Sequence, residues 1–193
     1  MELKDLFISK VRIKLLETFF SEPTEIYHVR ELVRRTNEEI NAVRRELAHM
    51  EASGMVKKEP RANRLYYWFR KDYLFFDELC SLIAKTTGLG RELLKNRAKL
   101  GKISFVMFSG KFVKRIPRKE EDIDILIIGN VVLPEVAALV HQEQSKRSEE
   151  INYTVMTDEE FDLRKRRRDP FLEGILQSSR IMIIGEEEDL VRL

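Results

Sequence analysis

Residues 31–59 read ELVRRTNEEINAVRRELAHMEASGMVKKE, and residues 61–68 read RANRLYYW. In the first segment apolar residues recur every three or four positions, the spacing of an amphipathic helix: Ile40, Val43, Leu47 and Met50. The spacing predicts a helix from about Glu38 to Ser53, and Gly54 follows it, where a helix end favours a left-handed residue. Apolar and aromatic runs then predict two strands, at 55–58 and 65–69, around a turn at 59–64.

Two more helices are predicted before the helix that runs from about Glu38 to Ser53. The first has apolar residues at helical spacing and ends at the breaker Ser21-Glu22-Pro23: Leu3, Leu6, Phe7, Val11, Leu15, Leu16 and Phe19. The second is short, from Val29 to Arg35, and the pair Thr36-Asn37 interrupts it before the third helix. Residues 1–72 are therefore predicted to form a first domain with the order helix, helix, helix, hairpin.

The segments at 31–59 and 61–68 resemble the helix-turn-helix and wing of ArsR-like winged-helix transcriptional regulators. The resemblance implies that the third helix lies in the major groove of double-stranded DNA and that the hairpin tip reaches a neighbouring groove or the phosphates. Arginine pairs with phosphates or guanine edges, and asparagine pairs with adenine. The DNA contacts predicted on this basis are Asn41, Arg44 and Arg45 of the helix and Arg61, Asn63 and Arg64 of the hairpin.

A second interpretation of the same residues is a protein-docking module. Glu38, Glu39 and Glu46 belong to the same predicted helix and dilute the positive field of Arg44 and Arg45. On that interpretation the two arginines only solvate the helix. DNA binding is favoured because basic residues recur at both expected contact points, the helix and the hairpin tip.

Residues 73–101 are predicted to connect two domains through a helix, a hinge at 86–90 with the sequence TTGLG, and a second short helix. The apolar residues Phe75, Phe76 and Leu79 need a partner surface. Either they form the contact of a homodimer, or they pack against the first helix of the same chain. A homodimer would present two reading heads to a pseudo-palindromic DNA site.

Residues 102–193 alternate predicted strands with predicted helices. Apolar runs of strand type lie at 103–108, 123–128, 151–156 and 181–184. Helical patterns lie at 134–144 and after the capping box at 157–160. The alternation predicts a domain with a small mixed sheet covered by helices, and hence an α+β fold class for the whole chain.

Residues 109–129, SGKFVKRIPRKEEDIDILIIG, resemble the signature of minimal nucleotidyltransferases of the polymerase-beta-like superfamily. Gly110-Lys111 is followed after ten residues by Asp122-Ile123-Asp124, the spacing of that signature. Alternate residues of a strand point to one face, so Asp122 and Asp124 would present two carboxylates to Mg²⁺. The resemblance implies that these aspartates bind metal, that Gly110 and Lys111 bind the phosphates of a nucleotide, and that Mg²⁺ and an NTP are the cofactors.

Two departures from the signature bear on catalysis, and no residue is assigned a catalytic role. Lys111 stands where the family has serine, and this cation can meet a triphosphate or pair with Asp122 or Asp124 in place of a metal. Asn152 is the match to a third carboxylate, with Glu150 as a substitute. The departures favour a silent nucleotide-binding or structural domain. The alternatives are an active Mg²⁺-dependent transferase that modifies a protein or RNA hydroxyl, and an antitoxin-like scaffold.

Two basic runs leave further alternatives open. Residues 114–119, KRIPRK, lie beside the acidic pair and either attract phosphates or form a solvated loop that balances the neighbouring acids. Residues 164–168, RKRRR, are either a nucleic-acid patch or the charged end of a helix.

The composition restricts the class of protein. The formal net charge of the 193 residues is +2, too small to indicate a partner by itself. The single Cys80 excludes an intramolecular disulfide, and the dispersed His28, His49 and His141 indicate no zinc site. No apolar run approaches the roughly 20 residues that span a bilayer, and the N-terminus lacks the pattern of a signal peptide. We therefore expect a cytoplasmic protein with no membrane contact.

Overall fold

The computed structural model describes residues 3–147 and 149–192. The chain divides into two compact units, with the division between Thr86 and Thr87. Each unit combines helices with a small sheet, so the fold is mixed α and β, as the sequence predicts. The division falls inside the predicted connector at 73–101, whose first helix belongs to the first unit and whose second helix belongs to the second unit.

The first unit contains a short 3₁₀ turn, Leu3–Asp5, followed by helices and strands in this order: α1 Lys10–Ser21, β1 Tyr27–His28, α2 Val29–Thr36, α3 Ile40–Ala52, β2 Val56–Arg61, β3 Arg64–Phe69 and α4 Phe76–Thr86. The strands form an antiparallel sheet in the order β1-β3-β2. Its core includes five large side chains that are each at most 1% exposed: Leu16, Phe19, Tyr27, Leu32 and Leu47. The predicted order of three helices and a hairpin is observed in this unit.

The first helix begins later than its apolar spacing predicts. The apolar residues at positions 3–7 precede it, and α1 begins at Lys10 after Ser9. Ser9 has an extended backbone, and its Oγ accepts a hydrogen bond from the Arg12 N–H at 3.1 Å, which caps the helix. Because a capping residue is itself non-helical, the apolar residues before Ser9 form a separate turn.

Two left-handed residues end α2 and α3. Asn37, with φ 51°, follows α2, and Gly54, with φ 75°, lies just beyond α3. The interruption at Asn37 and the left-handed residue after the third helix are both predicted from the sequence. The hairpin is tighter than predicted, because Arg61 pairs with Arg64 across the strands and the turn between them consists of residues 62 and 63.

A buried carboxylate links α3 to the start of α1. Glu46 is 8% exposed; its Oε1 lies 2.6 Å from Arg12 Nε, and its Oε2 accepts a hydrogen bond from Ser9 Oγ at 2.7 Å. Both partners belong to the capped first turn of α1, so one carboxylate fixes the cap and the ion pair together. A second ion pair joins Lys14 of α1 to Glu38, just before α3, at 2.6 Å.

Helix α4 packs within the first unit through Phe76, whose ring centroid lies 5.5 Å from that of Phe20 and 6.1 Å from that of Phe69. This is the packing alternative for the predicted connector. Leu74 and Phe75, by contrast, are 80% and 52% exposed. No helix within residues 3–147 and 149–192 has both the length and the apolar character that crossing a membrane requires.

The second unit contains these elements: α5 Gly88–Lys95, β4 Gly101–Ser109, α6 Gly110–Lys114, β5 Ile125–Val131, α7 Leu133–Gln144, β6 Tyr153–Met156, α8 Asp158–Arg166, α9 Pro170–Gln177, β7 Arg180–Ile184 and α10 Glu187–Val191. The strands form a sheet in the order β6-β5-β4-β7, in which β5 and β6 are parallel and the other neighbours are antiparallel. Residues 125–128 of β5 are each 0% exposed, as expected for a strand covered on both faces. The small mixed sheet predicted from the alternating pattern is present.

Two strands of this sheet begin later than the apolar runs predict. β5 begins at Ile125 rather than at residue 123, and β6 begins at Tyr153 rather than at residue 151. The Asn152 carbonyl accepts hydrogen bonds from two successive N–H groups, those of Asp124 at 2.8 Å and Ile125 at 3.2 Å. One carbonyl shared by two donors interrupts the regular ladder, so Asp122 and Asp124 lie in the segment that leads into β5 and not at alternate positions of a strand.

We expect Glu46→Ala to lower the free energy of unfolding of the first unit by about 3 kcal/mol, because Arg12 loses its buried anion. Urea denaturation would measure the change through the fluorescence of Trp68, the single tryptophan of the chain, which lies in this unit. Glu51→Ala is the control, since Glu51 pairs with Lys58 near the surface, where a pair contributes about 1 kcal/mol or less. Equal losses in the two variants would contradict the role given to Glu46.

Candidate functional site

The outward face of α3 carries the residues predicted from the helix. Asn41, Arg44, Arg45 and His49 are exposed, and they recur at the three- and four-residue spacing of one helix face. The opposite face packs into the core through Val43, Leu47 and Met50, each 0% exposed. We call the four exposed residues the helix stripe. Among the described residues, neither arginine of the stripe has an ion-pair partner, so both guanidinium groups are available to a ligand.

The acids near the stripe are bound by other groups of the protein. Glu46 is buried against Arg12, and Glu38 pairs with Lys14. Glu39 caps α3, and its Oε2 accepts hydrogen bonds from the N–H groups of residues 41 and 42 at 2.7 and 3.0 Å. Of the three acids that the docking interpretation depends on, only Glu39 is exposed.

The hairpin tip presents the other predicted residues. Arg61, Asn63 and Arg64 are exposed around the two-residue turn. Arg61 donates to Glu59 Oε2 at 2.9 Å and lies over the Tyr66 ring at 5.4 Å from its centroid. Within residues 3–147 and 149–192, no side-chain partner holds Asn63 or Arg64. The hairpin tip is therefore positively charged, with one arginine oriented by its neighbours and one open to solvent.

The second candidate site lies at the entrance to β5 in the second unit, where each aspartate of the acidic pair meets a cation. Lys111 Nζ donates to Asp122 Oδ2 at 2.7 Å, and the Lys119 N–H donates to the same oxygen at 3.0 Å. The hydrogen bond from Lys111 lowers the pKa of the Asp122 carboxyl below its ordinary value. Asp122 is therefore held in its charged form near the surface.

Asp124 is 1% exposed and has a different set of partners. Its Oδ2 accepts a hydrogen bond from the Asn152 N–H at 2.9 Å. Its Oδ1 lies 2.9 Å from Arg118 Nε, but no N–H is aligned with that oxygen, so the contact is an ion pair without a hydrogen bond. Burial raises the pKa of Asp124, and the backbone hydrogen bond and the arginine oppose that rise.

Asn152 and Arg118 connect the acidic pair to neighbouring backbone. The Asn152 Nδ2 donates to the carbonyls of Glu120 at 2.8 Å and Asp122 at 3.3 Å. Arg118 Nη2 donates to the Glu150 carbonyl at 2.7 Å. Asn152 and Glu150, the candidates for a third carboxylate position, thus act here through a side-chain amide and a backbone carbonyl.

The helix that would cradle a phosphate has its first donors engaged. The Gly110 N–H donates to the Ser179 carbonyl at 2.7 Å, and the Phe112 N–H donates to Ser109 Oγ at 3.2 Å. A Cβ at Gly110 would lie 3.1 Å from Ser179 Cβ and 3.2 Å from the Ser179 carbonyl oxygen, and Ser179 Oγ would have to rotate away, so a larger residue here would crowd Ser179. Lys111, the second residue predicted at the phosphates, is bound to Asp122.

A cavity of ≈ 20 Å³ lies between these groups, lined by Lys111, Arg115, Arg118, Asp124 and Arg147 among others. Its volume admits about one water molecule and no nucleotide. Arg147 is held against this cavity by a 2.9 Å ion pair to Glu143 and by the ring of Phe112, 4.2 Å from its guanidinium carbon. The lining also includes Glu149 and Glu150 and three apolar residues, so it combines cations, carboxylates and apolar side chains.

A divalent cation is the ligand that the sequence pattern predicts for the acidic pair. Such an ion prefers several carboxylate, carbonyl or water oxygens around it. In the described part of the chain, no group of three His, Cys, Asp or Glu side chains is arranged to hold a metal. The oxygens of Asp122 and Asp124 face Lys111, Arg118 and N–H donors instead, so the residues present do not fit the ion.

The sequence did not predict the roles of Arg118 and Ser179. Arg118 belongs to the basic run at 114–119, where either phosphate attraction or charge balance with the neighbouring acids was expected. Its contact with Asp124 is the charge-balance alternative, but nothing in the run distinguishes it from the other cations. Ser179 carries no motif, because its backbone carbonyl is the group that acts.

The chain matches no protein-family model, no curated protein sequence and no solved structure.

We expect Arg118→Ala to destabilise the second unit by about 3 kcal/mol, because it removes the ion-pair partner of the buried Asp124 carboxylate. Lys111→Ala should cost about 1 kcal/mol or less, since its pair with Asp122 is largely exposed. The side chains of the Arg118 pair are 16% and 2% exposed, against 49% and 29% for the Lys111 pair. Thermal unfolding followed by circular dichroism would compare the two variants. A larger loss of stability for Lys111→Ala than for Arg118→Ala would show that burial of an ion pair does not determine the cost of breaking it.

Lys111→Ala should raise the pKa of Asp122 toward the ordinary value of about 3.9 and leave that of Asp124 unchanged. A pH titration followed by NMR of the side-chain carboxyl carbons would measure both. Because the pKa of Asp122 is depressed in the folded chain, the ion pair stabilises the fold above the unfolded-state pKa. That contribution is lost as the pH falls through the lower folded value. The stability difference between wild type and variant should therefore vanish in strong acid; a difference that persists there would argue against the pair.

Proposed function

We propose that the chain is a DNA-binding transcriptional regulator whose first unit is a winged-helix module of the ArsR-like kind. The observation that carries the proposal is the helix stripe, which places two unpaired arginines and an asparagine on the solvent face of α3. In a helix-turn-helix module the second helix of the motif enters the major groove. Here that helix is α3, which follows α2 after the left-handed Asn37.

The arrangement of α2, α3 and the hairpin supports this proposal. The apolar faces of α2 and α3 are used for packing, so the polar face of α3 is free to meet a ligand. The β2–β3 hairpin projects an exposed tip with Arg61 and Arg64 on either side of its turn. A helix that reads base edges and a hairpin that contacts phosphates are the two parts that a winged-helix module needs.

Electrostatics favour DNA over the protein-docking interpretation. Glu46 and Glu38 are neutralised by Arg12 and Lys14 inside the unit, so they subtract little from the field at the stripe. Glu39 remains exposed at the start of α3, where it would repel a phosphate. We therefore expect base or phosphate contacts to involve the middle of α3, at Arg44 and Arg45, more than its first turn.

We propose that the regulator acts as a homodimer. Leu74 and Phe75 lie exposed just before α4, at 80% and 52%, and adjacent apolar side chains of this size favour a partner surface. Two copies would carry two stripes and match a pseudo-palindromic site. Phe76 does not contribute, because it packs inside its own unit.

We further propose that the second unit has the architecture of a minimal nucleotidyltransferase. The mixed sheet supports this proposal, as does the order of β4, α6 and β5 with the acidic pair at the entrance to β5. The cations on both aspartates favour a structural or sensory role over transfer chemistry. Within residues 3–147 and 149–192, no three His, Cys, Asp or Glu side chains are grouped to hold the metal that an active transferase would need.

The proposal is tested by fluorescence anisotropy with a labelled duplex from the promoter of the chain's own gene. We expect Arg44→Ala/Arg45→Ala to weaken binding at least tenfold, since each good base or phosphate contact contributes about 1–3 kcal/mol. The logarithm of the affinity should fall with the logarithm of the salt concentration by about 0.9 for each phosphate neutralised. Arg64→Ala should reduce that slope by about one contact. The stoichiometry should be two chains per duplex.

The matched control is Lys71→Ala/Lys85→Ala, which removes the same charge from exposed positions of the first unit outside α3 and the hairpin. Its affinity should stay within about twofold of the wild type, because only diffuse attraction is lost. An equal loss in the control and the stripe variant, or binding that ignores salt, would reject the stripe as the contact surface.

A further inference from the structure

The acidic pair of the second unit is balanced by charge from the chain itself. Asp122 and Asp124 carry two negative charges, and Lys111 and Arg118 bring two positive charges to within 2.7 and 2.9 Å of their oxygens. A divalent cation would supply the same charge at the same place. Adding the ion to the present arrangement would place it beside two other cations, which is electrostatically unfavourable.

We infer that Lys111 and Arg118 take the place of a divalent cation at the acidic pair, so that the folded chain binds neither Mg²⁺ nor a metal–nucleotide complex there. The inference deepens the proposed architecture of the second unit and is independent of DNA binding. It concerns the same two carboxylates that the sequence pattern assigns to metal.

Three of the four carboxylate oxygens have partners that support the inference. Asp122 Oδ2 accepts hydrogen bonds from both Lys111 Nζ and the Lys119 N–H. Asp124 Oδ2 accepts from the Asn152 N–H, and Asp124 Oδ1 faces Arg118 Nε. Mg²⁺ requires oxygen ligands at about 2.0–2.1 Å in near-octahedral geometry. The donors would have to leave these oxygens before the ion could approach.

The chain also differs from the nucleotidyltransferase signature at the position expected for a third metal ligand. Asn152 offers a neutral amide, and its Nδ2 is engaged with the carbonyls of Glu120 and Asp122. The carbonyl of Glu150 is engaged with Arg118. Removal of Arg118 alone would therefore release two groups, the Asp124 carboxylate and the Glu150 carbonyl.

The groups that would contact a phosphate are likewise bound by other groups of the chain. The Gly110 N–H, at the start of α6, donates to the Ser179 carbonyl. Lys111, the nearest cation on α6, is bound to Asp122. A triphosphate would have to displace both interactions, and the cavity of ≈ 20 Å³ beside them admits about one water molecule. The groups that would bind metal and phosphate are thus already bound by other groups of the chain.

The cluster gives the second unit a structural cross-link that needs no ligand. Lys111 belongs to α6, Arg118 to the segment between α6 and β5, and Asn152 to the segment before β6. Their contacts with Asp122 and Asp124 join these three segments at the entrance to β5. We therefore expect the unit to reach its full stability in the presence of a chelator.

The experiment measures Mn²⁺ binding to the full chain by the loss of the free-ion electron paramagnetic resonance signal with MnCl₂ alone. Because ATP itself removes that signal by chelating Mn²⁺, binding of the Mn²⁺–ATP complex is measured by equilibrium dialysis. Mn²⁺ is a suitable probe because it shares the oxygen-ligand preference of Mg²⁺. We expect no binding by the wild type and no change in its melting temperature between chelator and metal. Lys111→Ser/Arg118→Ser removes both cations, and we expect it to bind Mn²⁺ and to gain several degrees in melting temperature with saturating metal. Adding Asp124→Asn to that variant should abolish both effects.

The control is Lys99→Ser/Lys102→Ser, which removes two exposed lysines of the same unit that have no side-chain partner among the described residues. It should remain without Mn²⁺ binding. Binding by the wild type that Asp124→Asn abolishes would overturn the inference. A Lys111→Ser/Arg118→Ser variant that folds but binds no metal would overturn the inference as well. In that case the two cations would not be what excludes the ion.

If the Lys111→Ser/Arg118→Ser variant fails to fold, the Mn²⁺ measurement on the wild type can still contradict the inference. Anisotropy with the DNA duplex, run on the same wild-type sample, separates the two proposals. Loss of DNA binding there would contradict the regulator assignment and leave the Mn²⁺ result as it stands.

Discussion

A carboxylate that is 1% exposed cannot stay charged inside a protein without partners, and Asp124 is in that position. Its charge is met by Arg118 from the segment between α6 and β5 and by the N–H of Asn152. Both partners also bond to neighbouring backbone, so the requirement of one buried charge joins two segments, the one between α6 and β5 and the one before β6. The arrangement around the acidic pair follows from this requirement.

The first unit solves a similar problem at Glu46, with a different consequence. Burying that carboxylate against Arg12 and Ser9 removes a negative charge from the neighbourhood of Arg44 and Arg45. The same interaction that joins α3 to α1 therefore shapes the electrostatic field of the face that we propose reads DNA. The sequence suggests that Glu46 weakens the positive field of α3 and that Asp124 binds a metal. In the structure, each of these carboxylates acts mainly through its buried ion pair.

The elements of secondary structure could be predicted where local chemistry decides them. Helix α3, the left-handed Gly54 and the capped start of α8 at Thr157 follow from spacing and capping preferences of adjacent residues. The starts of α1, β5 and β6 could not be placed. α1 begins just after Ser9, a capping serine that also bonds to Glu46, and β5 begins where the carbonyl of Asn152, distant in sequence, accepts two N–H groups.

Residue types and spacing are local properties, and they are enough to place basic residues in α3 and the hairpin and two aspartates at a fixed distance from Gly110. They also predict that Lys111 can pair with either aspartate. The folded chain is needed to establish that Lys111 binds Asp122, that Arg118 binds Asp124 and that the Gly110 N–H binds the Ser179 carbonyl. Which charges meet depends on how the packed elements bring distant segments together, and on which carboxylate is buried deeply enough to require a cation.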